Sequence, residues 1–120
     1  MVDTTPIAQG LMLWALLALG SGVFGLWWAR APFFRAFWFM TGAWGLVDGG
    51  LAFLGWLGGG AEREALRRLL LLNAGLDLGY LALGLFLLSR REARLRGFGA
   101  AILVQGGFLL LFDLYHALRV

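Results

Sequence analysis

The chain reads as an all-α protein, a bundle of four transmembrane helices running up-down-up-down. Three observations predict this. The 120 residues are 61% apolar and 14% charged, against about 45–50% and about 25% in an ordinary soluble domain, so there is too little polar surface to cover a water-facing globule. The apolar residues fall into four long runs, each near the roughly 20 residues that a bilayer requires. The basic residues, 10 arginines and no lysine, stand between or beside those runs, where membrane-edge anchors belong.

The first run, 7–29, carries no charge. Pro6 suits a first-turn position, where its missing N–H would be unpaired anyway. Trp27 and Trp28 close the run at interface depth, and Arg30 and Arg35 follow. No basic residue precedes it and no small-residue cleavage site stands out, so it is expected to be retained and not removed as a leader. Pro32 breaks the chain before the second run. That run, 36–57, carries only Asp48, and Gly58-Gly59-Gly60 is a poor helix continuation and a good turn. Glu64 and Arg68, spaced i,i+4, mark a water-exposed start to the third helix. The third span, 66–89, is charged only at Asp77. A basic connection, 90–96, is expected to be partly helical at most. The fourth span, 97–118, has Asp113 and His116 near its end. Together these make one integral membrane domain, 1–120.

Four spans put both termini on one side. The first and third connections carry Arg30, Arg35, Arg90, Arg91, Arg94 and Arg96; the opposite side has Arg63, Arg67, Arg68 and Arg119. Arginine bias sets orientation and carboxylates count little, so the balance favours both termini outside.

Inside lipid there is no hydrophobic drive between helices, and close approach at small residues supplies packing. Thr41, Gly45 and Gly49 form such a ladder on the second span. Ala18 with Gly22, and Ser21 with Gly25, do so on the first, and Gly75 with Gly79 on the third. These ladders are expected to hold the helices together. Their number exceeds what a minimal bundle needs, which favours a homo-oligomer.

Three spans each carry one aspartate: Asp48, Asp77 and Asp113. An aspartate at a helix centre costs roughly 2.5–3.5 kcal/mol on insertion scales, so the three are expected to point inward. Asn73 and Tyr80 lie about one turn either side of Asp77 and share its face. Gln105 lies about two turns from Asp113 on the same stripe. Trp44 precedes Asp48 by one turn, so its indole N–H could serve the cluster. Asp48-x-Gly-x4-Gly55 and Asp77-x-Gly-x4-Gly84 form a weak repeat. On antiparallel helices such a repeat would be inverted, an arrangement often found in transporters. No arginine lies deep enough to pair with Asp48 or Asp77. The acids are therefore either protonated and hydrogen-bonded, or ionised around a cation or water.

Several chemistries are excluded. Without lysine there is no Schiff base. Without cysteine there is no thiolate metal site or disulfide relay. One histidine cannot supply a bis-histidine haem within a single chain. The interleaved arginines are not a nucleic-acid face. No cofactor is expected. Asp113-x-x-His116 is an i,i+3 carboxylate–histidine pair that, with Asp48 and Asp77, could hold a hard divalent ion; the plainer reading is an interfacial histidine.

The segment Asn73-Ala-Gly-Leu-Asp77-Leu-Gly-Tyr80, with Trp44 upstream, resembles a group of small bacterial four-helix membrane proteins of unknown function. The likeness covers mainly the third span and part of the second. It implies the fold and a bacterial inner-membrane setting, and it brings no activity or site. Small multidrug exporters fit poorly, since they carry an acid in their first helix, where this chain has none.

The leading functional expectation is binding or transport of a proton, cation or small amphipathic solute through Asp48, Asp77 and Asp113, with Asn73, Tyr80, Gln105 and His116 as accompanying candidates. The competing reading is an accessory or structural membrane subunit whose acids are protonated packing groups. The third, a metal-dependent membrane enzyme, would use Asp113 and His116; no other catalytic set is recognisable. The expected partners are the lipid bilayer and either further copies of the chain or a larger membrane complex.

Overall fold

The computed structural model describes residues 2–58 and 60–120. Among these the chain forms α1 (Thr5–Trp28), α2 (Pro32–Gly58), α3 (Arg63–Leu88) and α4 (Ala93–Arg119), with two short strands, β1 (Val2–Asp3) and β2 (Gly60–Ala61). All four helices are long and apolar enough to cross a membrane. At about 1.5 Å per residue they run to roughly 36–40 Å, more than the hydrocarbon core of about 30 Å.

Local chemistry sets the helix ends. Pro32 opens α2, where a missing N–H costs nothing. Arg35, one turn on, donates from Nη1 to the carbonyls of Leu26 and Ala29 at 3.2 and 3.0 Å, satisfying acceptors that the end of α1 leaves open. The hydroxyl of Ser89 closes α3 by donating to the Phe86 carbonyl at 2.6 Å. The helices outrun the apolar stretches. In particular, α4 begins at Ala93, so Arg94 and Arg96 lie on a helix and not in an irregular connection. Arginine, alanine and leucine are good helix formers, and long side chains in the first turn can still reach interfacial water. Of the expected glycine turn, Gly58 ends α2 and Gly60 enters β2; Gly59 lies outside the described residues.

The strand pairing is not legible in the sequence. Val2 pairs with Ala61 and Asp3 with Gly60, antiparallel. It ties the start of the chain to the α2–α3 connection, at the end of the bundle where an up-down-up-down path must bring both. The Thr5 N–H donates to Asp3 Oδ1 at 3.0 Å. Hydrogen bonds from Thr5, side chain first and backbone second, hold the Asp3 carboxyl below its ordinary range.

Three helix contacts build the bundle: α1 on α2, α3 on α4, and α2 on α4. Among the described residues the α2 and α3 backbones scarcely approach each other, and Trp44 meets Tyr80 across the space between them. The outline is correspondingly flattened, 48 × 26 × 16 Å. Glycine permits the closest approaches. A Cβ on Gly45 would stand 2.6 Å from the Leu19 nitrogen, and one on Gly99 2.6 Å from the Gly84 carbonyl oxygen. Gly49 sits at ordinary contact distance from Ala15. The ladder on α3 differs from its expected use: Gly75 and Gly79 face open space, and among the described residues no other helix meets them. The α3 glycine that packs is Gly84, on the opposite side, because α4 covers that face.

The outer faces are apolar. Leu13, Leu17, Phe24, Leu54, Leu72 and Leu111 are all more than half exposed. The few fully buried side chains are mostly alanine and the polar residues described next. That is the inverse of a soluble bundle and the arrangement expected where the surroundings are lipid.

Candidate functional site

Because α4 lies behind a gap between α2 and α3, the bundle leaves a cleft there, of about 520 Å³. That volume falls in the usual range of small-molecule sites, about 300–1,000 Å³. The helix α2 turns Met40, Trp44, Asp48 and Leu51 toward it; α3 contributes Asn73, Leu76, Asp77 and Tyr80; and α4 contributes Ile102, Leu109, Phe112 and Asp113. Only Leu11 comes from α1. Asn73, Asp77 and Tyr80 share the face that their spacing predicts.

The three aspartates therefore meet. Asp48 is 1% exposed, Asp77 3% and Asp113 7%. Leu51, Leu76 and Val47, which also line the cleft, are all more than half exposed. The acids form its floor and the aliphatic residues its rim. Asp77 on α3 and Asp113 on α4 both line the floor, on helices that pack against each other. Asp48 Oδ2 and Asp77 Oδ2 are buried without a hydrogen-bond partner among the described residues. Among the described residues no positive side chain lines the cleft. The one ion pair among the described residues, Arg67 with Glu64 at 3.6 Å, lies in the first turn of α3.

Two predicted site residues sit elsewhere. Gln105 is 1% exposed and turns toward α1, where its Oε1 accepts the indole N–H of Trp14 at 2.9 Å. It lies outside the cleft lining, since eight residues along an α-helix do not return to the same angle. His116 is also outside the lining; its ring packs on Phe112 and Tyr115, with centroids 4.5 and 5.1 Å away. Among the described residues no three of His, Asp and Glu converge as a metal ligand set. The carboxylate–histidine constellation that could have held a divalent ion is therefore not assembled: His116 lies outside the cleft lining, its ring edge-on to those of Phe112 and Tyr115.

Trp44 lines the cleft, but through its ring. It meets Tyr80 edge-on at 5.2 Å with the planes 66° apart, and its indole N–H makes no hydrogen bond among the described residues. The tryptophan that serves a buried polar group is Trp14, which also stacks on Phe108 at 3.9 Å. No local pattern pointed to that pair, as its members are 91 residues apart. The weak repeat is reproduced only in part. Asp48 and Asp77 occupy comparable places, whereas Gly84 is packed and Gly55 faces open space.

Four helices long and apolar enough to cross a membrane, around a carboxyl-floored cleft, mark a protein of the multi-pass membrane class. More particularly, the chain belongs to DUF6992, a family of unknown function, whose model matches residues 10–114. The matched stretch runs from α1 to just past Asp113 and so contains all three aspartates. No curated protein and no solved structure matches the chain.

Proposed function

We propose that this protein binds and moves a proton, or a small cation or amphipathic solute, through the cleft between α2 and α3, in a bacterial inner membrane and with both termini outside. The observation that carries this reading is the pair of buried, unpartnered carboxyl oxygens on Asp48 and Asp77. Apolar residues of similar volume would stabilise such a site more than acids do, and ionisable groups at membrane depth generally mark a pathway. Six arginines on the first and third connections against four on the other side support the orientation. The uncovered Gly75–Gly79 face of α3 supports assembly as a homo-oligomer.

The test is proton flux into liposomes containing the purified protein. Asp77→Asn should abolish flux while the variant still unfolds cooperatively in detergent. Flux equal to that of the unaltered protein would remove Asp77 from any pathway. A second reading, an accessory or structural subunit, is favoured by the burial of all three acids, which suits protonated packing groups as well as a ligand site. Under that reading Asp77→Asn changes thermal stability, and the protein carries no flux of its own.

A further inference from the structure

We infer that the cleft accommodates a primary or secondary ammonium group carried on a small apolar body, which enters sideways from the bilayer between α2 and α3. This deepens the binding reading above and rests on it.

Four features point to that ligand class. The floor is acidic and lacks any built-in counter-ion: Asp48, Asp77 and Asp113 line it and, among the described residues, no arginine does. Two buried acceptor oxygens, Asp48 Oδ2 and Asp77 Oδ2, have no donor among the described residues. A buried acceptor left unmade costs stability, and an ammonium N–H supplies a donor and a compensating charge together. A quaternary ammonium has the charge without the N–H, so it answers only half of this demand.

The third feature is the wall. Beyond the acids, the polar groups lining the cleft are Asn73 and Tyr80; the remainder is aliphatic or aromatic. An inorganic divalent ion needs about six or more oxygen ligands, or water in their place, and no metal ligand set converges among the described residues. A cation with a hydrocarbon body matches both floor and wall. The Trp44–Tyr80 edge-to-face pair adds ring faces of the kind that attract organic cations.

The fourth feature is the mouth. Val47 and Leu51 on α2 and Leu76 on α3 are all more than half exposed. Val47 and Leu76 sit in the middle third of their helices and Leu51 one turn beyond Val47, so the opening faces acyl chains and not the aqueous phase. A solute reaches it after partitioning into the bilayer, which selects for amphipathic ammonium compounds over hydrophilic ones.

The test is calorimetric binding to the full chain in lipid nanodiscs, with empty nanodiscs subtracted. The probes are hexylammonium, hexyltrimethylammonium and hexanol. Hexylammonium should show saturable binding beyond the lipid background. Hexyltrimethylammonium should bind about tenfold more weakly, and hexanol should not bind saturably. Asp48→Asn and Asp77→Asn should each weaken hexylammonium binding by at least about tenfold. Leu51→Trp, which fills the mouth while keeping all three acids, should abolish binding while leaving cooperative thermal unfolding in place. No saturable excess over empty nanodiscs, hexanol binding as tightly as hexylammonium, or unchanged binding in the two Asn variants would each overturn the inference. Proton flux sensitive to Asp77→Asn without hexylammonium binding would overturn this ligand class and leave the pathway reading standing. Flux indifferent to Asp77→Asn would defeat the pathway reading itself.

Discussion

Trp14 on α1 donates its indole N–H to the side-chain oxygen of Gln105 on α4, 2.9 Å away. Among the described residues it is the side chain–side chain hydrogen bond that joins two helices whose backbones scarcely approach one another. Gln105 is almost wholly buried and its amide nitrogen has no partner, so this bond carries most of what satisfies that side chain. Inter-helix hydrogen bonds in membrane proteins average about 0.6 kcal/mol and reach about 1.7. A double-mutant cycle of Trp14→Phe and Gln105→Leu, read by unfolding in detergent, should give a coupling of about 1 kcal/mol. Additive effects would show that the contact is incidental.

The glycines on α2 and α3 should respond oppositely. Gly45→Ala places a Cβ against the Leu19 backbone, which cannot yield without moving α1. It should destabilise the chain by about 1–3 kcal/mol. Gly75→Ala and Gly79→Ala project into open space and should be neutral or stabilising by up to about 1 kcal/mol in the monomer, as alanine is the better helix former. Thermal unfolding in detergent of the three variants checks the contrast. A Gly75 variant as damaging as Gly45→Ala would reveal a contact from outside this chain.

Asp48 offers a way to tell a working acid from a packing one. If the carboxyl is there for a ligand, Asp48→Leu removes an unpartnered buried acceptor and should raise the stability of the empty protein by about 1–3 kcal/mol. If it is a structural hydrogen-bonding group, the same change should lower stability by a similar amount. The denaturation midpoint of the purified variant decides between the two.

The N-terminal segment should loosen in acid. The Asp3 carboxyl is held below its ordinary range by Thr5. Its contribution is therefore present above about pH 4, the ordinary carboxyl range, and is lost as pH falls through the lowered value. Protection factors for hydrogen exchange at the β1–β2 pairing, corrected for the intrinsic pH dependence of amide exchange, should fall below that point, and Asp3→Asn should remove the change. Protection factors that are flat from pH 3 to pH 7 in the unaltered protein would contradict it.

What the sequence determined by itself was the number, type and order of the helices and the inward direction of the acids. Those follow from one-dimensional quantities: the length of apolar runs, the places where arginine, proline and glycine interrupt them, and the expense of an aspartate in hydrocarbon. The grouping of Asn73, Asp77 and Tyr80 was legible for the same reason, since helical spacing puts them on one face. Tertiary structure alone decided which helices touch. The α2–α4 contact leaves α2 and α3 apart, and that gap is what turns three separate aspartates into one cleft. It also sends Gln105 to Trp14. It packs Gly84 and leaves Gly75 and Gly79 uncovered. None of these is encoded at a fixed spacing along the chain. Each depends on how far neighbouring helices are rotated about their own axes, and that rotation is set by the sum of many small contacts between distant residues.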